Sequence, residues 1–533
     1  MLYAPETFTD AEAATLRPYF TNLDSPVFAL TNLPEVVKGA LFARYSRSDK
    51  SLRRLFLDEF VGDLDLTGDL TVDATVGLRR AEQLYERVFL EYGDDSVAQL
   101  GGVHLACEQA SNLLTKVLEW GRLMSYLEQS TRYIPYDSRI LGRYRYLRPS
   151  EICQSRLAAR YIADMDAAFD SYSGLLPVMT EWARERHPKE AGDSDFVYKQ
   201  TIKAKACDTV RGLLPAATLS NVGIYGSGQG YEALLLRMRA HPLPEARTYA
   251  DLMLTELRKV IPSFLVRVDR SDRGGAWSAY LEQTREATAG IVERLFAGES
   301  GGSGDTVTLV DWDPEGEDKV LAAICYPHTD LPEARVLDRV RRLAAHERTA
   351  LMTAYVGERV NRRHKPGRAF ERTGYRFDVI GDYGAFRDLQ RHRMLTIEWQ
   401  TLSPRHGYGV PAAVEEAGVD DAYAEAMERS CDLHDELRED FPDQAAYAVA
   451  LGYRIRYAMQ MNAREAMHLC ELRSSPQGHP SYRVIAQEMH RLIAEQAGHR
   501  AIAAAMAYVD HDEHALGRLA AERAAEARRA ARG

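Results

Sequence analysis

Residues 391–404 read Arg-His-Arg-Met-Leu-Thr-Ile-Glu-Trp-Gln-Thr-Leu-Ser-Pro, and residues 120–133 read Trp-Gly-Arg-Leu-Met-Ser-Tyr-Leu-Glu-Gln-Ser-Thr-Arg-Tyr. The two stretches share one frame, and each keeps positions that the other has changed. The later copy begins with Arg391 and His392, where the earlier copy has tryptophan and glycine. The earlier copy ends with Arg132 and Tyr133, where the later copy has serine and proline. This self-similarity favours a duplicated chain in which neither copy is complete alone.

The sequence around the two copies predicts the same order of elements in each half. Val27–Leu30 and Val307–Val310 predict short strands, each followed by an apolar segment. The glycine- and serine-rich stretch Gly298–Asp305 predicts a flexible linker. We therefore expect an N-terminal half at 1–297, a linker at 298–305 and a C-terminal half at 306–533 that ends in an alanine- and arginine-rich tail. Amphipathic patterns predict three further helices, at Asp166–Leu176, Arg247–Val260 and Tyr423–Arg438.

Size and composition restrict the class of protein. A chain of 533 residues exceeds the roughly 250–300 residues that one core supports, so we expect more than one domain. The formal net charge of -11 argues against nonspecific nucleic-acid binding, which needs an excess of basic residues. Six cysteines without a Cys-x-x-Cys pair predict reduced thiols, not a zinc site or a disulfide framework. With neither a secretion signal nor a long apolar run, the sequence predicts a cytoplasmic protein that does not bind membranes.

A second polar block lies at residues 462–473, which read Asn-Ala-Arg-Glu-Ala-Met-His-Leu-Cys-Glu-Leu-Arg. On a helix, Asn462 and Arg473 would share a face with roughly 16 Å between them. Arg464 and His468 would lie on a different face. One flat pocket could therefore use all four residues only if Asn462 stood at the start of the helix.

These motifs resemble those of the flavin-dependent thymidylate synthases, which carry Arg-His-Arg-x-x-Ser-x-Asn-Glu-x-Ser-x-Arg-Tyr and a later Asn-x-Arg…His…Arg block. The first copy matches the motif at Arg122, Ser125, Glu128, Ser130, Arg132 and Tyr133. The second copy matches it at Arg391, His392 and Arg393, with Thr396 and Thr401 for the serines and Glu398 and Trp399 for the Asn-Glu pair. The motif asparagine is missing from both copies, because Leu127 and Glu398 occupy its position.

The two halves have lost opposite parts of the family pattern. Residues 211–218 read Arg-Gly-Leu-Leu-Pro-Ala-Ala-Thr and resemble the family's Arg-x-x-Leu-Pro-x-Ala-Thr segment, whose arginine binds the nucleotide. The second half has Ala446 in place of Arg211. The first half has Ser227 and Gln229 where the family has asparagine and arginine. The resemblance implies that one composite site has kept its polar groups while the other has decayed.

The resemblance implies an α+β fold in two tandem copies, with helices packed on small mixed sheets. It implies FAD contacts from Arg391, His392, Arg393, Asn462, Arg464 and His468, and nucleotide contacts from Glu128, Ser130, Arg132, Arg211 and Arg473. Arg391 and Arg473 are the candidate catalytic residues, because guanidinium groups form paired hydrogen bonds with phosphate and uracil oxygens. The implied reaction is reductive methylation of dUMP at C5, with methylenetetrahydrofolate and NADPH as co-substrates. The implied assembly is a homodimer that mimics the homotetramer of the family.

Some features leave other interpretations open. Asp388 stands where the family usually has a glutamine near the nucleotide, so its carboxylate would oppose phosphate or favour another uridine nucleotide. The missing asparagine favours a paralogue that binds flavin or nucleotide without turnover. The stretch 226–230, Gly-Ser-Gly-Gln-Gly, predicts a plain loop and not a dinucleotide site, because no clear strand precedes it. We expect no metal site, since the acidic and histidine-rich run at 510–514 lacks a further identified ligand.

Overall fold

The computed structural model describes residues 3–33, 48–59, 102–190, 192–299 and 304–513, together with single positions at 38, 41, 42, 45, 301, 517, 519 and 523. Within these ranges the chain forms two compact units, each built around one small sheet. None of the helices in the described part of the chain is both long enough and apolar enough to cross a membrane.

Helices account for much of the described part of the chain and occur in both units. In chain order they are α1 (Asp10–Leu16), α2 (Leu52–Glu59), α3 (Asn112–Leu118), α4 (Ser150–Cys153), α5 (Ala158–Arg186), α6 (Asp195–Val210), α7 (Gly228–Arg239), α8 (Pro244–Leu257), α9 (Ala276–Leu295), α10 (Gly316–Cys325), α11 (Glu333–Val340), α12 (Ala345–Val356), α13 (Tyr383–Leu389), α14 (Ala412–Glu416), α15 (Asp420–Asp440), α16 (Ala463–Arg473), α17 (Pro480–Glu495) and α18 (Arg500–Ala505). Short 3-10 turns join several of them, among them Arg211–Leu213 after α6.

The first unit contains a four-stranded antiparallel sheet. Its strands are β1 (Val27–Ala29), β2 (Gly102–Ser111), β3 (Met124–Glu128) and β4 (Leu219–Ser227), in the spatial order β1-β2-β4-β3. In the register, Val27 lies opposite Cys107 and Glu128 lies opposite Val222. Strand β2 has a bulge between Cys107 and Ala110, where Gln109 adopts a positive φ of 56°. A bulge of this kind turns a side chain away from its regular position on the sheet.

Apolar side chains from β1, α1 and α2 form the core on one side of this sheet. Phe20 is the centre of an aromatic cluster, with ring centroids 5.6 Å from Phe28 and 5.4 Å from Phe56. Leu16, Phe28 and Phe56 are fully buried. Each buried side chain of this size contributes roughly 1.5–3 kcal/mol to folding, so the cluster holds β1 and both helices against the sheet.

The second unit repeats the arrangement of the first. Its strands are β5 (Val307–Trp312), β6 (Gly374–Asp382), β7 (Leu395–Trp399) and β8 (Arg454–Asn462), in the spatial order β5-β6-β8-β7 and antiparallel throughout. Alternate residues of β6 are buried, as expected for a strand with one covered face. Helix α17 packs against β5 and β6 and covers that face.

The strand-to-helix junctions follow one rule in both units. Ser111 and Ser227 cap the helices that follow β2 and β4, and Asp382 and Asn462 cap the helices that follow β6 and β8. Each capping side chain accepts a hydrogen bond from a backbone N–H three residues later. The repeated junctions are direct structural evidence of duplication, because they occur at matching places in the two sheets.

The two compact units exchange segments relative to the two halves of the sequence. The first unit comprises Met1–Ser173, Leu214–Gly301 and Glu428–Val449. The second comprises Gly174–Leu213, Gly302–Met427 and Ala450–Gly533. Helix α6 and Arg211 therefore belong to the unit that contains β5–β8. The segment with Ala446, which occupies the equivalent sequence position, belongs to the unit that contains β1–β4.

The expected tandem α+β architecture is confirmed, but the two described sheets are antiparallel and not mixed as expected. Val27–Leu30 contains β1, and Val307–Val310 is the first part of β5. The three expected helices lie within or largely overlap α5, α8 and α15. The prediction of a plain loop at 226–230 is wrong, because β4 runs into α7 there. The strand was missed because Leu219–Ser227 has little alternation of polar and apolar residues. The linker at 298–305 and the half boundaries remain predictions.

Candidate functional site

Three arginines converge on one buried carboxylate in the second unit. Asp388 lies on α13 and is 8% exposed. Its Oδ2 atom is 3.8 Å from Nη1 of Arg211, and its Oδ1 atom is 3.7 Å from Nη1 of Arg473. Oδ1 also accepts a hydrogen bond from Nη2 of Arg391. Three guanidinium groups around one carboxylate leave an excess of positive charge, which favours an anionic ligand.

Arg211 is the most buried of the three arginines, with 4% exposure. Its Nη2 atom is buried and has no hydrogen-bond partner among the described residues. Gly384, at the start of α13, leaves room for this side chain, because a Cβ at that position would lie 3.3 Å from both Nε and Nη2 of Arg211. A buried donor without a partner costs roughly 1–3 kcal/mol or more when charged, so a ligand oxygen beside Nη2 would remove a penalty.

The hydrogen bonds of His392 determine its protonation state. Nε of Arg473 donates to Nε2 of His392 over 3.0 Å, and arginine has no acceptor atom. Nε2 must therefore be unprotonated, so Nδ1 carries the proton and donates to Oε1 of Glu465 over 2.8 Å. Burial lowers the pKa of His392 well below its usual value, and the neighbouring Arg473 acts in the same direction. His392 is a neutral residue that links Arg473 to Glu465.

Helix α16 carries the second polar block. Asn462 is its N-cap residue, and the Oδ1 atom accepts from the backbone N–H of Glu465 over 2.9 Å. One pocket could use all four polar residues of the block at 462–473 only if Asn462 stood at the start of the helix. As the N-cap residue, Asn462 does so. Arg464 donates from Nε to the carbonyl of Pro366 over 2.9 Å. Burial lowers the pKa of His468 to about 4, so its imidazole is also neutral at pH 7.

His392, Glu465 and His468 lie close enough to suggest a metal site, with ligand atoms all within 4.8 Å of one another. Two neutral imidazoles and a carboxylate are common zinc ligands. However, the Nε2 lone pair of His392 is already used by Arg473, and Lys365 lies near enough to affect the pKa of Glu465. The positive surroundings oppose a divalent cation and favour an anion. The donor set is therefore better suited to an organic phosphate than to a metal ion.

Three of the predicted nucleotide contacts belong to the first unit. Glu128 is buried at the end of β3, with Oε2 at 3.3 Å from Nζ of Lys116, which also lies 2.6 Å from Glu119. Ser130 accepts a hydrogen bond from the backbone N–H of Arg132 over 3.2 Å. The second unit contains the remaining predicted flavin and nucleotide contacts, which are Arg211, Arg391, His392, Arg393, Asn462, Arg464, His468 and Arg473.

Several groups that shape the site are not predicted by the sequence motifs. The carboxylate of Asp388 is visible in the sequence, but its contacts with three arginines are not. Glu465, the hydrogen-bond partner of His392, was not among the predicted site residues. The spacing of Glu465 and His468, one turn apart on a helix, was the available signal. Arg393, in contrast with Arg391, is exposed.

Comparison with known proteins gives a consistent result. A family model described as "thymidylate synthase complementing protein" matches residues 46–263 and again residues 308–498. A UPF0159 protein from Chlamydia pneumoniae is 40% identical over 500 residues, which cover 93% of this chain and 94% of the relative. A UPF0159 protein from Thermoplasma acidophilum is 32% identical over 512 residues, covering 91% and 97% respectively. The chain belongs to the thymidylate synthase complementing protein family, and it carries the family's domain twice.

Proposed function

We propose that this protein is a flavin-dependent thymidylate synthase that methylates dUMP at C5, with methylenetetrahydrofolate and NADPH as co-substrates. The observation that supports it most directly is the convergence of Arg211, Arg391 and Arg473 on Asp388. These arginines come from three separate motifs of the family. Together they place three positive charges around one carboxylate, and this excess of positive charge favours a nucleotide phosphate.

The residues beside this cluster suit a flavin. Arg393 and Arg464 are cationic and not fully buried, and the imidazole rings of His392 and His468 are neutral and 5.2 Å apart. Such a set can pair with a pyrophosphate and with the polar edge of a flavin ring. Bound FAD would supply the hydride chemistry, with NADPH as the reductant. The chain's own residues would orient the nucleotide and polarise its base.

His392 would act through Arg473. Its Nε2 atom accepts a hydrogen bond from Nε of Arg473 and so fixes the plane of the guanidinium. In this plane, Nη1 of Arg473 lies 3.7 Å from Oδ1 of Asp388. Because His392 is neutral, it adds no charge that would compete with the substrate. We propose that Glu128, Ser130 and Arg132 also contact the nucleotide, as in the family pattern, and that the chain acts as a cytoplasmic homodimer.

Asp388 favours a second candidate, the methylation of another uridine nucleotide. A carboxylate accepts hydrogen bonds and cannot donate them at neutral pH, whereas the family's glutamine does both. A substrate with an additional hydroxyl group, such as UMP, would offer a donor that this carboxylate can accept. The two candidates differ only in the sugar, so one assay can compare them.

The test is turnover by the full chain reconstituted with FAD. We expect NADPH oxidation and formation of methylated nucleotide that both require methylenetetrahydrofolate and dUMP, with less product from UMP. Arg473→Gln should lower the rate at least 100-fold, since one charge-assisted contact in a transition state is worth about 3 kcal/mol or more. Arg491→Gln is the matched control, because Arg491 is an exposed arginine that pairs with Glu488 and Glu495 of its own helix α17. Flavin binding without any product would instead support a non-catalytic paralogue.

A further inference from the structure

The first unit contains a cavity that the proposed reaction does not use. Its volume is about 730 Å³, within the range of small-molecule sites. Its lining includes the N-terminal segment 3–7, the segment 140–148 and the bulge of β2. The N-terminal segment precedes the first region that matches the family model, which starts at residue 46. None of the predicted flavin or nucleotide contacts lines this cavity.

The β2 bulge and the N-terminal segment build one wall together. Gln109 has a positive φ, and its side chain donates to the carbonyl of Ala4 over 3.2 Å and accepts from the backbone N–H of the same residue over 3.4 Å. Its own backbone N–H donates to Oδ1 of Asn221 over 2.9 Å. The amide side chain thus pairs with an extended segment as a neighbouring strand would. The wall is fixed by these hydrogen bonds and is not an accidental gap between loops.

Two of the three acidic side chains of the lining are engaged, and the third, Asp49, is exposed. Glu108 accepts hydrogen bonds from the hydroxyls of Tyr3 and Tyr45 and from the backbone N–H of Leu52, and burial raises its pKa. Glu6 pairs with Arg54 at 2.6 Å. Neither carboxylate is therefore left to attract a cation into the cavity.

Two basic side chains of the lining are only partly engaged. The exposed guanidinium of Arg143 makes no hydrogen bond or ion pair with the described residues. Arg145 donates from Nη2 to the carbonyl of Pro135 and stacks 4.2 Å over the ring of Tyr136, but its buried Nε atom has no partner in the described part of the chain. Tyr144 and Tyr146 also line the cavity, but their rings are buried and already covered, with Arg139 stacked 4.2 Å over Tyr144 and Arg148 stacked 4.0 Å over Tyr146. The cavity therefore combines cationic donors that have no partner among the described residues with the exposed apolar side chains of Ile140 and Leu141.

We propose that this cavity is a second binding site, separate from the arginine cluster around Asp388, for a mononucleotide-sized organic anion that carries an aromatic ring and a phosphate or carboxylate group. The anion would pair with Arg143 and with Nε of Arg145, since guanidinium groups form strong charge-assisted hydrogen bonds with both anions. The ring would pack on the exposed apolar side chains of Ile140 and Leu141, which form part of the lining.

The test uses two fluorescent probes, 4-methylumbelliferyl phosphate and coumarin-3-carboxylate, in equilibrium dialysis against the full chain. Every chain in this test also carries Arg211→Gln, so that anion binding at the arginine cluster around Asp388 is weakened and does not mask binding in the cavity. We expect one bound probe molecule per chain at submillimolar probe concentration. The probe that binds more tightly shows whether the site prefers a phosphate or a carboxylate group. Neutral 4-methylumbelliferone should bind at least tenfold more weakly. Arg143→Gln should weaken binding about tenfold, because it removes one charge-assisted contact, while Arg270→Gln, at an exposed arginine paired with Asp272, should not.

A matched pair at Leu141 keeps the test valid if an arginine variant folds poorly. Leu141 is 81% exposed and has a positive φ of 50°, a conformation that asparagine and aspartate adopt more readily than leucine. Leu141→Asp should weaken probe binding about threefold through charge repulsion, and Leu141→Asn should leave it within twofold. The proposal is overturned if no probe binds in the Arg211→Gln chain, or if binding is unchanged in both Arg143→Gln and Leu141→Asp.

Discussion

Replacement of Asp388 by asparagine tests the electrostatic design of the site. The substitution keeps the shape of the side chain but removes the charge that balances Arg211, Arg391 and Arg473. At an effective dielectric constant of about 20, each contact near 3.8 Å contributes roughly 4 kcal/mol before desolvation is considered. Loss of one partner of a buried pair costs about 3–5 kcal/mol net. Because the side chain of Arg391 is 33% exposed, we expect the low end, about 3 kcal/mol of unfolding free energy.

The same substitution should strengthen nucleotide binding. The carboxylate of Asp388 occupies donors that a phosphate would use, and it repels the phosphate directly. Asp388→Asn should therefore bind dUMP about tenfold more tightly, equivalent to about 1.4 kcal/mol. Calorimetric titration with dUMP and urea denaturation measure the two effects in one preparation. Asp338→Asn is the control, since Asp338 pairs with Arg341 on the exposed side of α11. Unchanged stability together with equal or weaker dUMP binding would refute this explanation of Asp388.

Three further predictions concern single residues of the second unit. Gly384→Ala should weaken dUMP binding about tenfold because the new methyl group displaces Arg211, whereas Gly290→Ala, where a Cβ meets open space, should have no effect in the same titration. The unfolding free energy should fall as the pH drops from about 6.5 towards 4, because His468 binds a proton more readily in the unfolded chain. This loss of stability between pH 7.5 and pH 5, measured by urea denaturation, should be about 1 kcal/mol smaller in His468→Gln than in the unmodified chain. The value allows for solvent screening of a partly exposed ring. Glu471→Gln should lower the unfolding free energy by about 3–5 kcal/mol, because it breaks the buried ion pair between Glu471 and Arg359, whose side chains are 1% and 4% exposed. Equal stability of the variant and the unmodified chain would contradict this.

The sequence was sufficient to predict the duplication and the tandem α+β architecture. Its repeated motifs lie at matching strand and helix positions, so alignment of the two halves gave the repeat directly. The short strands β1 and β5 were also predictable, because each is a brief apolar run next to a turn. Strand β4 was not, since its glycines and serines weaken the periodic signal.

The exchange of segments could not be predicted from local patterns. Arg211 lies in the first half of the sequence but packs within the second unit, next to Gly384 and Asp388. Only tertiary contacts decide which unit a helix such as α6 joins. The exchange gives a physical reason for the opposite losses in the two halves. The retained Arg211 and the retained block at 462–473 lie in one unit, while Ala446 and Gln229 lie in the other.

The protonation of His392 also required the structure. The sequence motif predicts His392 as a site residue but indicates no partner for either ring nitrogen. The contacts with Arg473 and Glu465 define the tautomer, and they involve residues distant in sequence. The bulge at Gln109 and the cavity beside it were likewise invisible, because a single extra residue in a strand leaves no clear pattern.

We propose that this chain carries one functional flavin and nucleotide site. The most direct measurement is the number of FAD molecules bound per chain, from flavin absorbance after reconstitution and removal of free flavin. We predict one FAD per chain, and its loss in the double variant Arg393→Gln, Arg464→Gln. Two FAD molecules per chain, or none, would overturn this proposal.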